Sequence, residues 1–348
     1  MLVASFLWFL HQPASTSWLK RELAVRRPDL RFAFSRPGLT TFKVDEGRVD
    51  ERVESSFARA FGHSLGRVAT VDAIASLVAS MPEGPLRLHV FERDLDRAAD
   101  ERVASVVGAR ALAVDTALRA AHPGRFLDGL TARAGELVLD IVTAPAEEPD
   151  DGLFVGWHRH DDRRGPLPGG VPHVVIPERA PSRAWAKLEE AIAWSELRPQ
   201  AGEVAVELGS APGGASLALL DRGLEVHGVD PAGMAPQVLG YRGRQGNRFV
   251  HHAVSAAALE KRDLPHGFQW LASDMNLAPM VALKYIERFV ALSHGSLKGA
   301  FLTLKINDEG IFEALPGLMQ RIEKLGGKRV RYTQLPSHRN ELVAIVSY

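Results

Sequence analysis

The segment Val204–Ala205–Val206–Glu207–Leu208–Gly209–Ser210–Ala211–Pro212–Gly213–Gly214 runs from an apolar stretch into a glycine-rich turn, with a helical pattern after it. Glycine lets the backbone take left-handed dihedrals and lets a ligand approach closely. The first N–H groups of the following helix are free to bind. The spacing is G-x-x-x-G-G, so the G-x-G-x-x-G dinucleotide fingerprint is absent. Further on, Glu225–Val226–His227–Gly228–Val229 ends in Asp230, an acid placed to accept both hydroxyls of a ribose. Together these residues describe a nucleoside site at the carboxyl ends of strands.

The run Leu208–Gly214 resembles the S-adenosylmethionine loop of the FtsJ-type RNA ribose 2′-O-methyltransferases. The resemblance implies S-adenosylmethionine as cofactor, held by Gly209, Ser210, Ala211, Pro212, Gly213, Gly214 and Asp230, with Asp274 near its methionine end. It also implies a Lys–Asp–Lys–Glu tetrad. Lys187 lies on a helix before the loop, in Pro181–Ser182–Arg183–Ala184–Trp185–Ala186–Lys187–Leu188–Glu189–Glu190–Ala191. Asp274 ends the fourth strand, Lys305 ends the next, and Glu341 opens a late strand. Within that family the Pro181–Ala191 string is similar to the bacterial 23S rRNA cytidine 2′-O-methyltransferases of the RlmM type. Those enzymes carry a ferredoxin-like unit and a THUMP RNA-binding domain before the catalytic domain. The resemblance is carried by 181–348 and extends in part over 135–180. Some positions depart from it. Ala184 stands where the type has a serine, and Phe249–Val250–His251–His252–Ala253 has no acid near the adenine. Lys305 is followed by Ile306–Asn307–Asp308 without the usual proline, and 276–300 looks abbreviated.

The chemistry implied is in-line attack of a ribose 2′-hydroxyl on a sulfonium methyl carbon. The protein must then position the hydroxyl and take its proton. A free lysine is mostly protonated at neutral pH, and a second lysine nearby disfavours the charged form. Lys305 is therefore expected as general base, with Lys187 tuning it and Asp274 and Glu341 orienting both. No metal is required.

These residues need elements to hold them. From 181 to 348, strand-like segments at 204–208, 225–229, 269–273, 300–305 and 341–347 alternate with helical ones. That alternation predicts an α/β fold, an open and mostly parallel Rossmann-like sheet with helices on both faces. Residues 1–60 read as a small ferredoxin-like α/β unit: a strand at 3–10, a helix near 15–26, a strand at 31–34 and a turn at Arg36–Pro37–Gly38. Residues 61–165 read as a THUMP-like unit. It has a helix near 69–80, strands at 86–91, 136–142 and 153–157, and helices across 95–121. The Pro/Gly-rich stretch 166–180 is a linker or an ordered crossover loop.

Composition narrows the classes. The 348 residues hold 42 basic and 42 acidic groups, 46% hydrophobic residues and no cysteine. The length suggests more than one domain. The missing cysteine excludes a disulfide scaffold, thiol catalysis and Cys-ligated metal. Zero net charge argues against a basic coat on nucleic acid but leaves room for local Arg/Lys clusters. The apolar start reads as a buried strand, since no run reaches the ~18–20 residues that span a bilayer, and a cytoplasmic location is expected. The segment His158–Arg159–His160–Asp161–Asp162 reads as a surface RNA or solvent contact rather than a metal cluster, and the loop histidines His251–His252 read as structural or solvated rather than stacked on a base. Trp157, Trp185 and Trp194 read as packing. The expected function is methyl transfer to RNA, with large-subunit rRNA or an assembly precursor as partner. The alternatives are a small-molecule methyltransferase and a non-catalytic RNA-binding or ribosome-assembly factor that retains the fold. S-adenosylmethionine titration separates the last from the others.

Overall fold

The computed structural model describes residues 6–44, 53–94 and 108–348. The chain divides into two compact units, the first ending at His173 and the second running Val174–Tyr348.

In the first unit the elements are β1 (Phe6–His11), α1 (Thr16–Arg26), β2 (Leu30–Arg36), β3 (Leu39–Val44), β4 (Ala58–Val68), α2 (Val71–Ser80), β5 (Arg87–Glu92), α3 (Ala109–Ala121), β6 (Leu137–Thr143) and β7 (Leu153–Arg159). All seven strands form one sheet, in the order β2-β3-β1-β4-β7-β6-β5. The apolar start is a strand as expected: Leu7, Trp8, Phe9 and Leu10 are buried. The boundary expected at 60/61 falls inside β4. That strand pairs with β1 on one side and β7 on the other, so both expected units share a sheet. The stretch at 166–173 is ordered. Pro168, Gly169 and Gly170 are buried, and the Arg59 guanidinium donates to the Gly169 carbonyl at 3.0 Å. The expected helix between 95 and 108 lies outside the described residues.

The second unit contains α4 (Ala184–Ser195), β8 (Val204–Leu208), α5 (Gly214–Asp221), β9 (Glu225–Val229), α6 (Pro236–Leu239), β10 (Phe249–His252), β11 (Trp270–Ser273), α7 (Pro279–Leu292), β12 (Gly299–Lys305), α8 (Glu309–Glu323), β13 (Arg329–Thr333) and β14 (Glu341–Ser347). Its sheet runs β10-β9-β8-β11-β12-β14-β13. Strands β8 to β12 pair in parallel, and β14 is antiparallel to both neighbours. Strand order reverses beside β8, the switch point at which open α/β sheets bind ligands.

Strand periodicity decides which residues meet α4 and α5. Ala205, Trp270, Phe301, Val343 and Ile345 pack with Leu188, Ala191 and Trp194 of α4 in one core. Side chains alternate along a strand. Continuing that parity to the strand ends puts Glu207, Asp274, Lys305 and Glu341 toward α4. On α4 itself, Lys187, Ala191 and Trp194 recur at helical spacing and share a face. The buried Leu283, Ile286 and Phe289 of α7 and Leu315, Leu318 and Ile322 of α8 are apolar at the same spacing.

Candidate functional site

The glycine turn brings the elements of the site together. Gly209 has φ +77, and a Cβ there would lie 2.7 Å from Met275 Cα and 2.8 Å from the Asp274 carbonyl oxygen. The end of β11 can approach β8 only because this side chain is missing. A Cβ on Gly214 would lie 2.2 Å from Ser182 Oγ and 2.9 Å from the Trp185 nitrogen, so the same absence admits the start of α4. The expected cofactor turn is thus also the joint that places Lys187 and Asp274.

All four expected tetrad side chains converge. The Lys187 ammonium lies 2.9 Å from Asp274 Oδ2 and 2.6 Å from Glu341 Oε2. Lys305 Nζ faces the other oxygens of the same carboxylates, 3.9 Å from Asp274 Oδ1 and 3.6 Å from Glu341 Oε1. Two cations and two anions alternate around a ring. Burial works against the charge on Lys187, but the Asp274 and Glu341 carboxylates outweigh it and hold its pKa above the ordinary lysine value. Lys187 is therefore a fixed cation, and Lys305 is the more loosely held member.

The remaining expected residues surround the turn. Asp230 Oδ2 accepts the Ala211 N–H at 3.1 Å and Oδ1 accepts the Ala232 N–H at 2.8 Å. Each oxygen keeps a lone pair for a further donor. Ser210 is buried and turns its hydroxyl toward Met234 Sδ at 3.6 Å. The peptide Ala211–Pro212 is cis, and Gly213 takes φ +111 before α5 begins. At the end of β10, His251 Nε2–H donates to the Asp230 carbonyl at 3.0 Å. His252 Nε2 lies 3.0 Å from His227 Nδ1.

Two groups were not singled out from the sequence. Glu207, next to last in β8, is buried and accepts the Ser216 hydroxyl. Burial, reinforced by the charges of Asp274 and Asp230, pushes its carboxyl up to about 8, so it is protonated at neutral pH. His338, three residues before Glu341, is buried under the tetrad. With Lys187, Ser273 and Asp274 it lines a cavity of about 20 Å³. Burial and the neighbouring Lys187 charge bring its imidazole down to about 3. A glutamate in a buried strand was a readable signal for Glu207. Nothing local marks His338.

Other candidates resolve into packing. Trp194 is buried in the core. Trp157 stacks on His63 at 4.3 Å. His158 and His160 are buried, where a surface contact was expected, and His158 Nδ1–H donates to the buried Asp140 at 2.6 Å. No described helix is long and apolar enough to cross a membrane.

The second unit has the mixed α/β fold of a methyltransferase domain. Residues 180–308, within the second unit, match the family model of the FtsJ-like methyltransferases. Three similar proteins are each called ribosomal RNA large subunit methyltransferase M. That of Dickeya chrysanthemi strain Ech1591 is 29% identical over 184 residues, covering 50% of this chain and 47% of that protein. That of Ectopseudomonas mendocina strain ymp is 31% identical over 170 residues, 47% of this chain and 45% of the other. That of Alkalilimnicola ehrlichii strain ATCC BAA-1101 is 37% identical over 133 residues, 36% and 34% of the two chains. The match spans less than half the length of each of these relatives.

Proposed function

We propose that the protein transfers a methyl group from S-adenosylmethionine to a ribose 2′-hydroxyl of RNA, with a cytidine of 23S rRNA or an assembly precursor as the acceptor. The observation that carries this reading is the Lys187–Asp274–Lys305–Glu341 ring at the mouth of the glycine turn. The relatives' shared name supplies the rRNA.

The residues present fit the cofactor. Asp274 Oδ1 is buried and receives no hydrogen bond, as suits an acceptor that meets a ligand ammonium. Asp230 has lone pairs left for ribose hydroxyls, and the turn 209–214 presents backbone to the amino-acid end. The end of β10 offers no acid to an adenine amino group. When bound, S-adenosylmethionine supplies an electrophilic methyl carbon on a good leaving group. This chain's side chains do the rest. Lys187, kept protonated by its two carboxylates, orients the attacking oxygen. Lys305 acts through its unprotonated amine and takes the hydroxyl proton. Asp274 and Glu341 hold the two lysines apart at fixed angles. Orientation and base catalysis are each large terms when geometry is preset.

The first unit belongs to the same proposal as the RNA-binding part. Its ferredoxin-like portion, about 1–60, and its THUMP-like portion, about 61–165, would share β4, with 166–180 leading to the catalytic unit 181–348. A cytoplasmic location goes with rRNA as substrate. The missing acid beside Ala253 favours one second reading, a non-catalytic RNA-binding or assembly factor retaining the fold.

Calorimetric titration with S-adenosylmethionine, followed by tritium transfer to rRNA stripped of 2′-O-methyl groups, tests the proposal. Micromolar binding with transfer to a single cytidine is the expected result. A chain that binds no cofactor is the assembly factor of the second reading. Label entering metabolites but not RNA also overturns the proposal.

A further inference from the structure

The loop 334–340 joins β13 to β14 and delivers Glu341 to the tetrad. It is fastened on two sides. On one side Glu190, a buried carboxylate of α4, accepts the Ser337 N–H at 2.9 Å and the Ser337 hydroxyl at 2.8 Å. On the other, the Asn340 carbonyl accepts the Ile306 N–H at 2.7 Å. Glu190 follows Lys187 by one helical turn, and Ile306 directly follows Lys305. The loop therefore bridges the two lysine-bearing elements at the positions next to the lysines. Gln334 closes the loop by donating to the Arg339 carbonyl, and Leu335 and His338 bury their side chains beneath it.

We propose that Glu190 is a positioning residue for the tetrad: by clamping Ser337 to α4 it fixes the spacing of Lys187, Glu341 and Lys305. It touches none of the reacting atoms. The inference rests on the reading of the tetrad as a site for attack by a hydroxyl. Burying a carboxylate is expensive unless it is well bonded, and Glu190 is buried with both oxygens engaged by Ser337. The same position on a helix that carried no reactive lysine would be served as well by an apolar contact. The clamp holds Glu341 where it and Asp274 keep Lys187 charged. It also holds the Glu341 oxygen that faces Lys305 at 3.6 Å.

The full chain carrying Glu190→Ala, Glu190→Gln or Ser337→Ala is compared with the wild type in three measurements. In methyl transfer to RNA, Glu190→Ala lowers kcat about 10- to 100-fold, the scale of an ångström-sized misplacement, with the S-adenosylmethionine Kd unchanged. Its pH–kcat profile also moves, whereas simple loss of folded protein scales the profile uniformly. Glu190→Gln restores most of the rate, because the amide oxygen accepts the backbone N–H and the serine hydroxyl turns to accept the amide. Ser337→Ala keeps one of the two bonds and gives a smaller effect of the same kind.

The third measurement needs no turnover. Titration of the Lys187 side chain by NMR shows a midpoint above 10.5 in the wild type that falls toward it in Glu190→Ala. Wild-type protein that transfers no methyl group sinks the functional reading, and the lysine titration still decides the clamp. A Glu190→Ala protein with kcat within twofold of wild type, or with an unmoved Lys187 titration, overturns the proposal. If that variant does not fold, an unmoved Lys187 titration in Ser337→Ala overturns it as well.

Discussion

Lys305 and Glu341 are direct cross-strand partners, facing each other across the antiparallel pair β12 and β14. Opposed side chains on one face of such a pair stand about 5 Å apart at Cβ. Register alone therefore brings the Lys305 amine to 3.6 Å from the Glu341 carboxylate. Removing either end tests different steps. Under the proposed function, Lys305→Met keeps the stem and loses the base, so kcat falls by about 10²–10⁴, the usual worth of general base catalysis. Cofactor affinity measured by calorimetry stays within a few-fold. Glu341→Gln keeps the shape and loses one of the two charges beside Lys187. Its rate falls by about 10- to 100-fold, and an unchanged rate would sink the ring as a working unit.

Gly209 offers a second test, because space and dihedral both forbid a side chain there. Its φ is +77, and a Cβ would press on the backbone of Asp274 and Met275. A left-handed non-glycine residue costs about 1–2 kcal/mol, and overpacking adds about 1–3. Gly209→Ala is expected to lose about 2–5 kcal/mol in urea unfolding. It also weakens S-adenosylmethionine binding at least tenfold, since Asp274 moves with the strand end. Gly246→Ala is the control: it too has positive φ, but nothing lies within 4 Å of its Cβ. That variant bears the dihedral cost alone and leaves binding intact.

The legible parts of the molecule were those carried by local pattern. The strands β8, β9, β11, β12 and β14 are short apolar runs with turns between them, and each tetrad residue sits at the end of one or on the helix before them. What stayed hidden depends on partners far away in the chain. Glu190 and Ser337 are 147 residues apart, and nothing near either residue announces the bond. The edge strand β13, Arg-Val-Arg-Tyr-Thr, is half-exposed along most of its length and shows no apolar run to read. In the first unit β4 contains Gly62 and Gly66, and its register to β7 shifts between Ser64 and Gly66. Glycines in a strand interior weaken its pattern and mark bulges, so no unbroken apolar run announces that the sheet continues across the expected 60/61 boundary.

Basic clusters counted along the chain overstate the surface open to RNA. Arg331 stacks over Trp194 at 5.2 Å and donates to the Ser195 carbonyl. Arg164 lies over Phe61 at 4.2 Å and is buried. Arg242, Arg244 and Arg248 are exposed, with Arg248 3.4 Å from Glu225. Under the proposed function, few phosphates are neutralised. The slope of log K against log salt for an rRNA fragment is then shallow, about −2 to −4 for roughly 3–5 contacts. Arg244→Ala flattens it by about 0.7, while Arg331→Ala leaves the slope alone and lowers stability.

Three buried histidines predict acid sensitivity. Burial brings His11 and His160 to about 4 and His338 to about 3. Each stays neutral in the folded chain while the unfolded chain binds a proton below about 6.5. Their contribution is present above pH 6.5 and is lost as pH falls from there toward 4 or 3. Each costs roughly 1 kcal/mol between pH 7.5 and 5.5. Urea midpoints of wild type and His160→Gln, measured across that range, should converge as the pH drops.

Glu207 acts in the opposite direction. Its carboxyl ordinarily ionises near 4.5, and in the folded protein burial pushes it up to about 8. Between those values the folded state binds a proton that the unfolded state has released, so stability falls as pH rises, by about 1.4 kcal/mol per pH unit. The contribution is intact below 4.5 and is lost as pH rises toward 8. Glu207→Gln removes the titrating proton, and its amide oxygen still accepts the Ser216 hydroxyl. The variant is therefore expected to be more stable than wild type at pH 7.5 and to show no such slope. Carboxylates at Asp274 and Asp230 contribute to the shift, so Asp274→Asn should lower the Glu207 pKa and flatten the wild-type slope in part. A Glu207→Gln protein with the wild-type pH dependence would mean that Glu207 is already ionised at pH 7, with an unrecognised cation beside it.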